Sequence, residues 1–149
     1  MGVKWTKTTR LIKIKGPQTF KGGSFSLKDS PDLVPLMVVM ALFAKGKTRL
    51  YNIAHARAKE SDRLSDLRRE LLKIGANIQE KRNELIIAPR SYYKKNVFLD
   101  PHRDHRLAMS FAVLGLKLGV KIKDIECTSK PYPQFVKDFK KIGAPISKN

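Results

Sequence analysis

The chain has 149 residues, 42% of them apolar, enough for one compact domain or two small fused units with a real core. Lysine and arginine total 31 against 13 acidic residues, and the formal charge of +18 draws anions (nucleic acid, acidic lipid or phosphorylated metabolites) without choosing among them. The single cysteine, Cys127, excludes a disulfide framework within the chain, no apolar run reaches membrane-spanning length, and the alternating basic start does not read as a signal peptide. A cytoplasmic protein that does not enter a membrane is the resulting expectation.

The first stretch reads as strands. "RLIKI" (10–14) alternates, and so does "FSLKD" (25–29) after a turn at Gly22-Gly23. In "SPDLVPLMVVMALFAKG", Ser30 is the expected N-cap and Pro31 the first residue of a buried helix over 31–44, with Gly46 ending it. Pro35 is tolerable only near the first turn. A short strand follows at 48–53. Over 61–74, Leu64, Leu67, Leu71 and Ile74 fall at helical spacing; Arg63, Asp66, Arg69, Glu70 and Lys73 take the wet face, and Gly75 is the stop. "ANIQEKRNELIIAP" is a hairpin turning at Arg82-Asn83. Residues 96–103 read as a polar loop. "RDHRLAMSFAVLGLKLG" is then a second buried helix, over 104–117 and ending near Gly119, and "VKIKDIEC" (120–127) is a strand. A last helix begins near Pro133. Its Phe135, Val136, Phe139 and Ile142 form one stripe, and Gly143 ends it.

The order thus restarts. "KIGANI" (73–78) returns as "KIGAPI" (141–146), and Gly46 and Gly119 each stand between a buried helix and a short strand. The chain reads as two copies of a helix, strand, loop, helix unit, at about 10–90 and 91–149. Two copies are fewer than a stable array needs, which points to a larger parent with further copies.

Equivalent loops at the same end of parallel elements converge in space. Asp32 opens the first buried helix, and Asp104, His105 and Arg106 open the second. Lys59 and Glu60 precede the helix at 61–74, and Lys130 occupies the corresponding loop of the second copy. Helix N-termini offer unpaired N–H groups and partial positive charge, so with Arg63, Arg106 and Lys130 that end becomes an anion site. Carboxylates weaken such a site unless they have another task, and proton transfer by Asp32 and Glu60 is the obvious one. Each residue alone also has a plain reading. Asp32 suits any helix start, Glu60 and Asp62 could form a local ion network with Arg63, His105 could cap its helix, and Lys130 is one lysine among many. Cys127 reads as a small buried residue, and no metal-ligand spacing, P-loop or dinucleotide fingerprint is present.

These residues carry a family resemblance. "DSPDLVPLMVVMALFAKGKTRLYNI", "KESDRL", "DHRLAMSFAV" and "CTSKPYPQF", in that order across about 14–143, resemble the C-terminal part of the 3-phosphoshikimate 1-carboxyvinyltransferase (EPSP synthase) family. The resemblance implies an α/β fold made of two repeated βαβαββ-type units of the enolpyruvyl transferase fold, part of an inside-out α/β barrel domain. Residues 1–149 would be a partial C-terminal domain whose partner is the missing N-terminal domain. The implied reaction moves the enolpyruvyl group of phosphoenolpyruvate to the 5-hydroxyl of shikimate 3-phosphate and releases phosphate, with no metal or organic cofactor. The complete enzyme would be a monomer. By motif, Asp32 matches the aspartate near the 5-hydroxyl and Glu60 the proton donor to the methylene carbon of phosphoenolpyruvate. Lys59, Arg63, His105, Arg106 and Lys130 match residues around that substrate, Lys130 counting among the catalytic groups as well. The chain alone is expected to be inactive, because most contacts to shikimate 3-phosphate lie elsewhere.

Two other readings remain. The enolpyruvyl transferase acting on a UDP-sugar shares the fold, but "KESDR" with "DHR" matches it poorly. A nucleic-acid-binding α/β module would suit the charge, but RNA-recognition, helix-turn-helix and zinc-finger patterns are absent, so no specific nucleic acid is expected.

Overall fold

The apolar run at 34–42 decides the layout. Apolar on every side, it can be satisfied only in the interior, and Val34, Val38, Ala41 and Leu42 are fully or almost fully buried. The structure, a computed structural model, describes residues 1–147. In chain order it has strands β1 (Trp5–Lys7), β2 (Ile12–Ile14) and β3 (Lys21–Ser26), helix α1 (Val34–Leu42) and strand β4 (Lys45–Tyr51). Helix α2 (Arg63–Leu72), strands β5 (Asn77–Lys81), β6 (Glu84–Ala88) and β7 (Val97–Leu99), helix α3 (His105–Leu118), strand β8 (Val120–Ile122) and helix α4 (Phe135–Lys141) follow. Short 3-10 helices stand at Pro31–Leu33, Ala54–Ala58 and Ile125–Thr128.

α1 crosses between the parallel strands β3 and β4, and α3 crosses between the parallel strands β7 and β8. The sheet order is β3-β4-β6-β5, with β6 antiparallel to both neighbours. α1 packs against α3, so the two halves share one core, and α2 covers β5. Leu64, Leu67, Leu71 and Ile74 are fully buried, each contributing about 1.5–3 kcal/mol. Tyr93 ties the linker between the halves to α1: its hydroxyl donates to the Leu42 carbonyl at 2.8 Å. Strand, helix, strand, 3-10 helix and helix recur in that order in both halves. A left-handed residue, Asn52 (φ 59°) or Asp124 (φ 48°), stands just ahead of the 3-10 segment each time. The fold is mixed α/β with repeated strand–helix units, the architecture of the enolpyruvyl transferase barrel.

The structure moves several expected boundaries. Ser30 flanks a 3-10 helix rather than an α-helix, and its side chain caps nothing; α1 starts at Val34, which leaves Pro35 in the first turn as required. Gly22 and Gly23 form no turn. They lie inside β3, where its register against β4 shifts, and a Cβ on Gly22 would sit 2.4 Å from the carbonyl oxygens of both Gly46 and Lys47. Gly46 lies within β4 at φ 87° and does not end α1. Residues 97–99, read as loop, form a strand because β8 supplies a parallel partner. The strand expected over 120–127 stops at Ile122, and a 3-10 helix follows. The wet face assigned to α2 is the largest error: Arg63, Asp66 and Glu70 are buried at 0%, 6% and 2% exposure. Ile142 leaves the stripe of α4 and is 74% exposed.

Gly22→Ala forces a methyl group into the β4 backbone. It is expected to destabilise the chain by about 1–3 kcal/mol, measured as a lower urea midpoint with an unchanged slope.

Candidate functional site

The stretch "HARAKESDRL" splits into two jobs. Arg57, on the 3-10 helix Ala54–Ala58, donates to both oxygens of Asp62 at 3.0 and 2.9 Å, to the Lys81 and Arg82 carbonyls at 2.9 and 3.1 Å, and pairs with Glu80 at 2.7 Å. It clamps the β5–β6 hairpin onto the start of α2. Asp62 is the N-cap of that helix, accepting from the Ser65 amide at 3.2 Å. These charges are structural.

Lys59, Glu60 and Arg63 face the other way. Arg63, the first residue of α2, has a side chain only 1% exposed, and three carboxylates meet it. Its Nε donates to Asp104 Oδ2, its Nη1 to Asp32 Oδ1 and its Nη2 to Glu60 Oε2, each at 2.7 Å. Burial opposes the charge of Arg63, but the hydrogen bonds it donates to Asp104 and Asp32 outweigh that and raise the guanidinium pKa further. Asp104 is itself completely buried. As N-cap of α3 it accepts from the Arg106 and Leu107 amides at 2.8 and 3.4 Å with the oxygen not bound by Arg63 Nε.

Asp32 and Glu60 sit at the open side of this cluster, their side chains 45% and 44% exposed. Asp32 uses its second oxygen to accept from Arg106 Nη2 at 3.0 Å. The Arg63 hydrogen bond, helped by the charges of Arg106 and Lys59, holds the Asp32 carboxyl below its ordinary pKa against a smaller opposing effect of burial. Asp32 is therefore an ionised acceptor at neutral pH. His105 Nδ1 lies 3.6 Å from the second oxygen of Glu60. The arrangement gives two accessible carboxylates at fixed separation on one guanidinium, rimmed by Arg106, His105 and Lys59. It can accept a proton at one place and deliver one at another while cations attract an anion between them.

Of the residues singled out from the sequence, Asp32, Glu60, Arg63, His105 and Arg106 form one connected cluster. Lys59 is exposed and acts on Asp32 through charge alone. Lys130 is exposed beyond the 3-10 helix Ile125–Thr128 and makes no hydrogen bond or ion pair among the described residues. Burial pushes the Cys127 thiol up to about 11, which leaves it protonated and unreactive near neutral pH.

Sequence reasoning missed a second fastening. Glu70, two helical turns after Arg63, is buried and accepts from the Asp100 amide at 2.8 Å, from Lys73 Nζ at 2.5 Å and from His102 Nε2 at 3.2 Å. It braces the turn 100–103, where His102 and Arg103 are both left-handed (φ 51° and 62°). That turn delivers Asp104, His105 and Arg106 to the cluster. A periodic pattern could not reveal Glu70, since a charged residue three positions from a lysine reads as a surface ion pair.

The sequence matches, over residues 1–139, the family model of EPSP synthase (3-phosphoshikimate 1-carboxyvinyltransferase). It is 39% identical over 136 residues to the 3-phosphoshikimate 1-carboxyvinyltransferase of Nitrosopumilus maritimus, covering 91% of this chain and 32% of that protein. Against the enzyme of the same name from Methanococcus aeolicus it is 41% identical over 150 residues, covering 99% and 34%. The chain thus spans about a third of the length of the curated relatives it matches. Among solved structures, EPSP synthase from Acinetobacter baumannii superposes with a TM-score of 0.83 at 27% identity, over 97% of this chain and 37% of that one. The enolpyruvyl transferase NikO from Streptomyces tendae shares the fold at a TM-score of 0.78 and 18% identity, over 99% and 34%.

Asp104→Ala leaves the Arg63 charge buried without its deepest partner. A loss of about 3–5 kcal/mol is expected in urea unfolding, far above what removal of an exposed ion pair costs.

Burial disfavours ionised Glu70, but the Asp100 amide, Lys73 and His102 outweigh it and hold its pKa below the ordinary 4.5. A depressed folded pKa means stability that is present above the unfolded value and lost as pH falls through the folded one. Wild type is therefore expected to lose more stability than Glu70→Gln between about pH 6 and about pH 3, read as the difference between their urea midpoints across that range.

Proposed function

The chain belongs to the EPSP synthase family, and from that membership we propose that it forms part of the catalytic cleft of a 3-phosphoshikimate 1-carboxyvinyltransferase. In this reading it is part of a C-terminal domain of two units, at about 10–90 and 91–149, acting in the cytoplasm with an N-terminal domain. The substrates are phosphoenolpyruvate and shikimate 3-phosphate. Their reaction adds the 5-hydroxyl oxygen to the enolpyruvyl carbon and a proton to the methylene carbon, then eliminates phosphate as the resulting methyl group gives a proton back, which restores the carbon–carbon double bond. One group must take a proton from the hydroxyl and another must give one to carbon. Asp32, kept ionised by Arg63 and Arg106, is the acceptor. Glu60, accessible and beside His105, is the donor. Arg106, Lys59 and Lys130 draw the phosphate and carboxylate of phosphoenolpyruvate, and Arg63 holds the two carboxylates apart. The observation that carries this reading is the single buried guanidinium joining Asp32 to Glu60 beside Arg106.

Charged contacts are strong only where water is excluded, and reaction needs both substrates held in reacting geometry. The chain alone leaves the cluster open and is inactive. Phosphate release with both substrates tests the proposal. In the complete enzyme containing this sequence, Glu60→Gln and Asp32→Asn are each expected to lower kcat by about 10²–10⁴-fold with a much smaller change in KM. The 149-residue chain is expected to show no turnover. Near-normal kcat in Glu60→Gln would remove Glu60 from the mechanism, and robust turnover by the short chain would refute its incompleteness. A UDP-sugar acceptor in place of shikimate 3-phosphate is expected to be inert.

A further inference from the structure

Two consecutive residues with left-handed backbone stand between β7 and α3. His102 and Arg103 have φ 51° and 62°, a region that a Cβ disfavours. Neither holds itself there. Arg103 is exposed and makes no hydrogen bond or ion pair among the described residues. His102 is held by its surroundings: Asp100 Oδ1 accepts from its amide at 2.8 Å, and its ring Nε2 lies 3.2 Å from Glu70 Oε1. Glu70 also accepts from the Asp100 amide at 2.8 Å, so both contacts lead back to one buried carboxylate.

Asp104 comes next, and Arg63 Nε pins its carboxylate at 2.7 Å. The left-handed turn lies on one side of this pivot, and His105 and Arg106 lie on the other. The rest of the cluster is fixed by its own side-chain bonds: Arg63 by three carboxylates, Asp32 by two guanidinium groups. Arg106 is held more loosely. Only Nη2 is bonded, to Asp32 at 3.0 Å, and its buried Nε has no hydrogen-bond partner among the described residues. His105 Nδ1 stands 3.6 Å from Glu60, too far for a hydrogen bond. The backbone therefore places these two side chains more than their own contacts do.

We infer that Glu70 is a positioning residue for the reaction, acting through the left-handed turn on His105 and Arg106. This role rests on the proposed reaction, in which Arg106 meets phosphoenolpyruvate. Glu70 holds a backbone that its own residues disfavour. Without it the turn relaxes, and because Arg63 still grips Asp104, the relaxation rotates the start of α3 about that carboxylate. Arg106 and His105 then leave the rim, while Asp32 and Glu60 stay on Arg63. The loss falls on the substrate that Arg106 binds and not on the two carboxylates. A shift of about 1 Å is enough for a large effect on a reaction that depends on geometry.

In the complete enzyme containing this sequence, Glu70→Ala is expected to raise KM for phosphoenolpyruvate and to lower kcat/KM for it by about 10–100-fold, with KM for shikimate 3-phosphate little changed. Gly22→Ala weakens β3 against β4 and touches no residue of the cluster, so it controls for stability alone and is expected to leave both KM values unchanged. Glycine adopts left-handed backbone freely. Adding Arg103→Gly to Glu70→Ala is therefore expected to recover most of the loss, and adding Arg103→Ala to recover none. His102 gives the same comparison at a partly exposed position. His102→Ala loses the contact to Glu70 and keeps the disfavoured backbone, and is expected to act as a weaker Glu70→Ala; His102→Gly loses both and is expected to match wild type. A wild-type KM for phosphoenolpyruvate in Glu70→Ala, or in His102→Ala should Glu70→Ala not fold, would overturn the role. So would equal recovery by Arg103→Ala, or the same KM rise in Gly22→Ala. Failure of the proposed reaction looks different: Glu60→Gln and Asp32→Asn would then keep near-normal kcat. If those two lose kcat while Glu70→Ala and His102→Ala keep KM, only the positioning role fails.

Discussion

A guanidinium cannot lose its water unless other groups replace it. Arg63 is buried, and its replacements come from three separate parts of the chain: the 3-10 helix after β3, the loop before α2 and the N-cap of α3. No one of those carboxylates would hold Arg63 in place alone, since removing water from an ion costs several kcal/mol. Together they fix where α2 begins relative to α3 and to Asp32. The candidate site is therefore a by-product of satisfying one buried charge. Two carboxylates end at its open side because their outer atoms are left over when their inner atoms have met Arg63.

The same logic runs along α2. Glu70 lies two turns from Arg63 on the inner side of the helix and satisfies the turn 100–103, as Arg63 satisfies Asp104 beyond it. Helix α2 is thus stitched to the start of α3 at two heights by charges of opposite sign. The left-handed residues His102 and Arg103 are held by this bracing, and without it such backbone would relax. Packing of α1 on α3 brings the halves together in general, and the polar stitches set their register in particular.

The cluster lies on the seam between the units. Asp32, Glu60 and Arg63 belong to the first and Asp104, His105 and Arg106 to the second. Repetition supplies two helix starts at one end of the fold, and divergence between the copies supplies different side chains there. The N-terminus of α4 carries no counterpart of Arg63: the segment "SKPYPQF" leads into it where "KESDRL" leads into α2. A single unit could not make this site, because neither half holds both the guanidinium and its deepest partner.

Much was legible in the sequence. The buried helix read over 31–44, the leucine spacing of α2, the turn at Arg82-Asn83 and the start of α3 are local signals, and each element formed, the first within the narrower bounds 34–42. So did the restart of the motif, and the family resemblance followed from ordered motifs. The failures share one cause. Gly22 and Gly23 were read as a turn because their inclusion in a strand depends on how closely β4 approaches. Residues 97–99 were read as loop because a three-residue strand exists only when β8 lies beside it. Arg63, Asp66 and Glu70 were assigned to water because a charged side chain on a helix normally belongs there. Local pattern determined which segments coil, extend or turn and which residue types stood ready for chemistry. Whether a charge faces solvent or another charge depends on partners 30 or more positions away, and only tertiary packing brings those together.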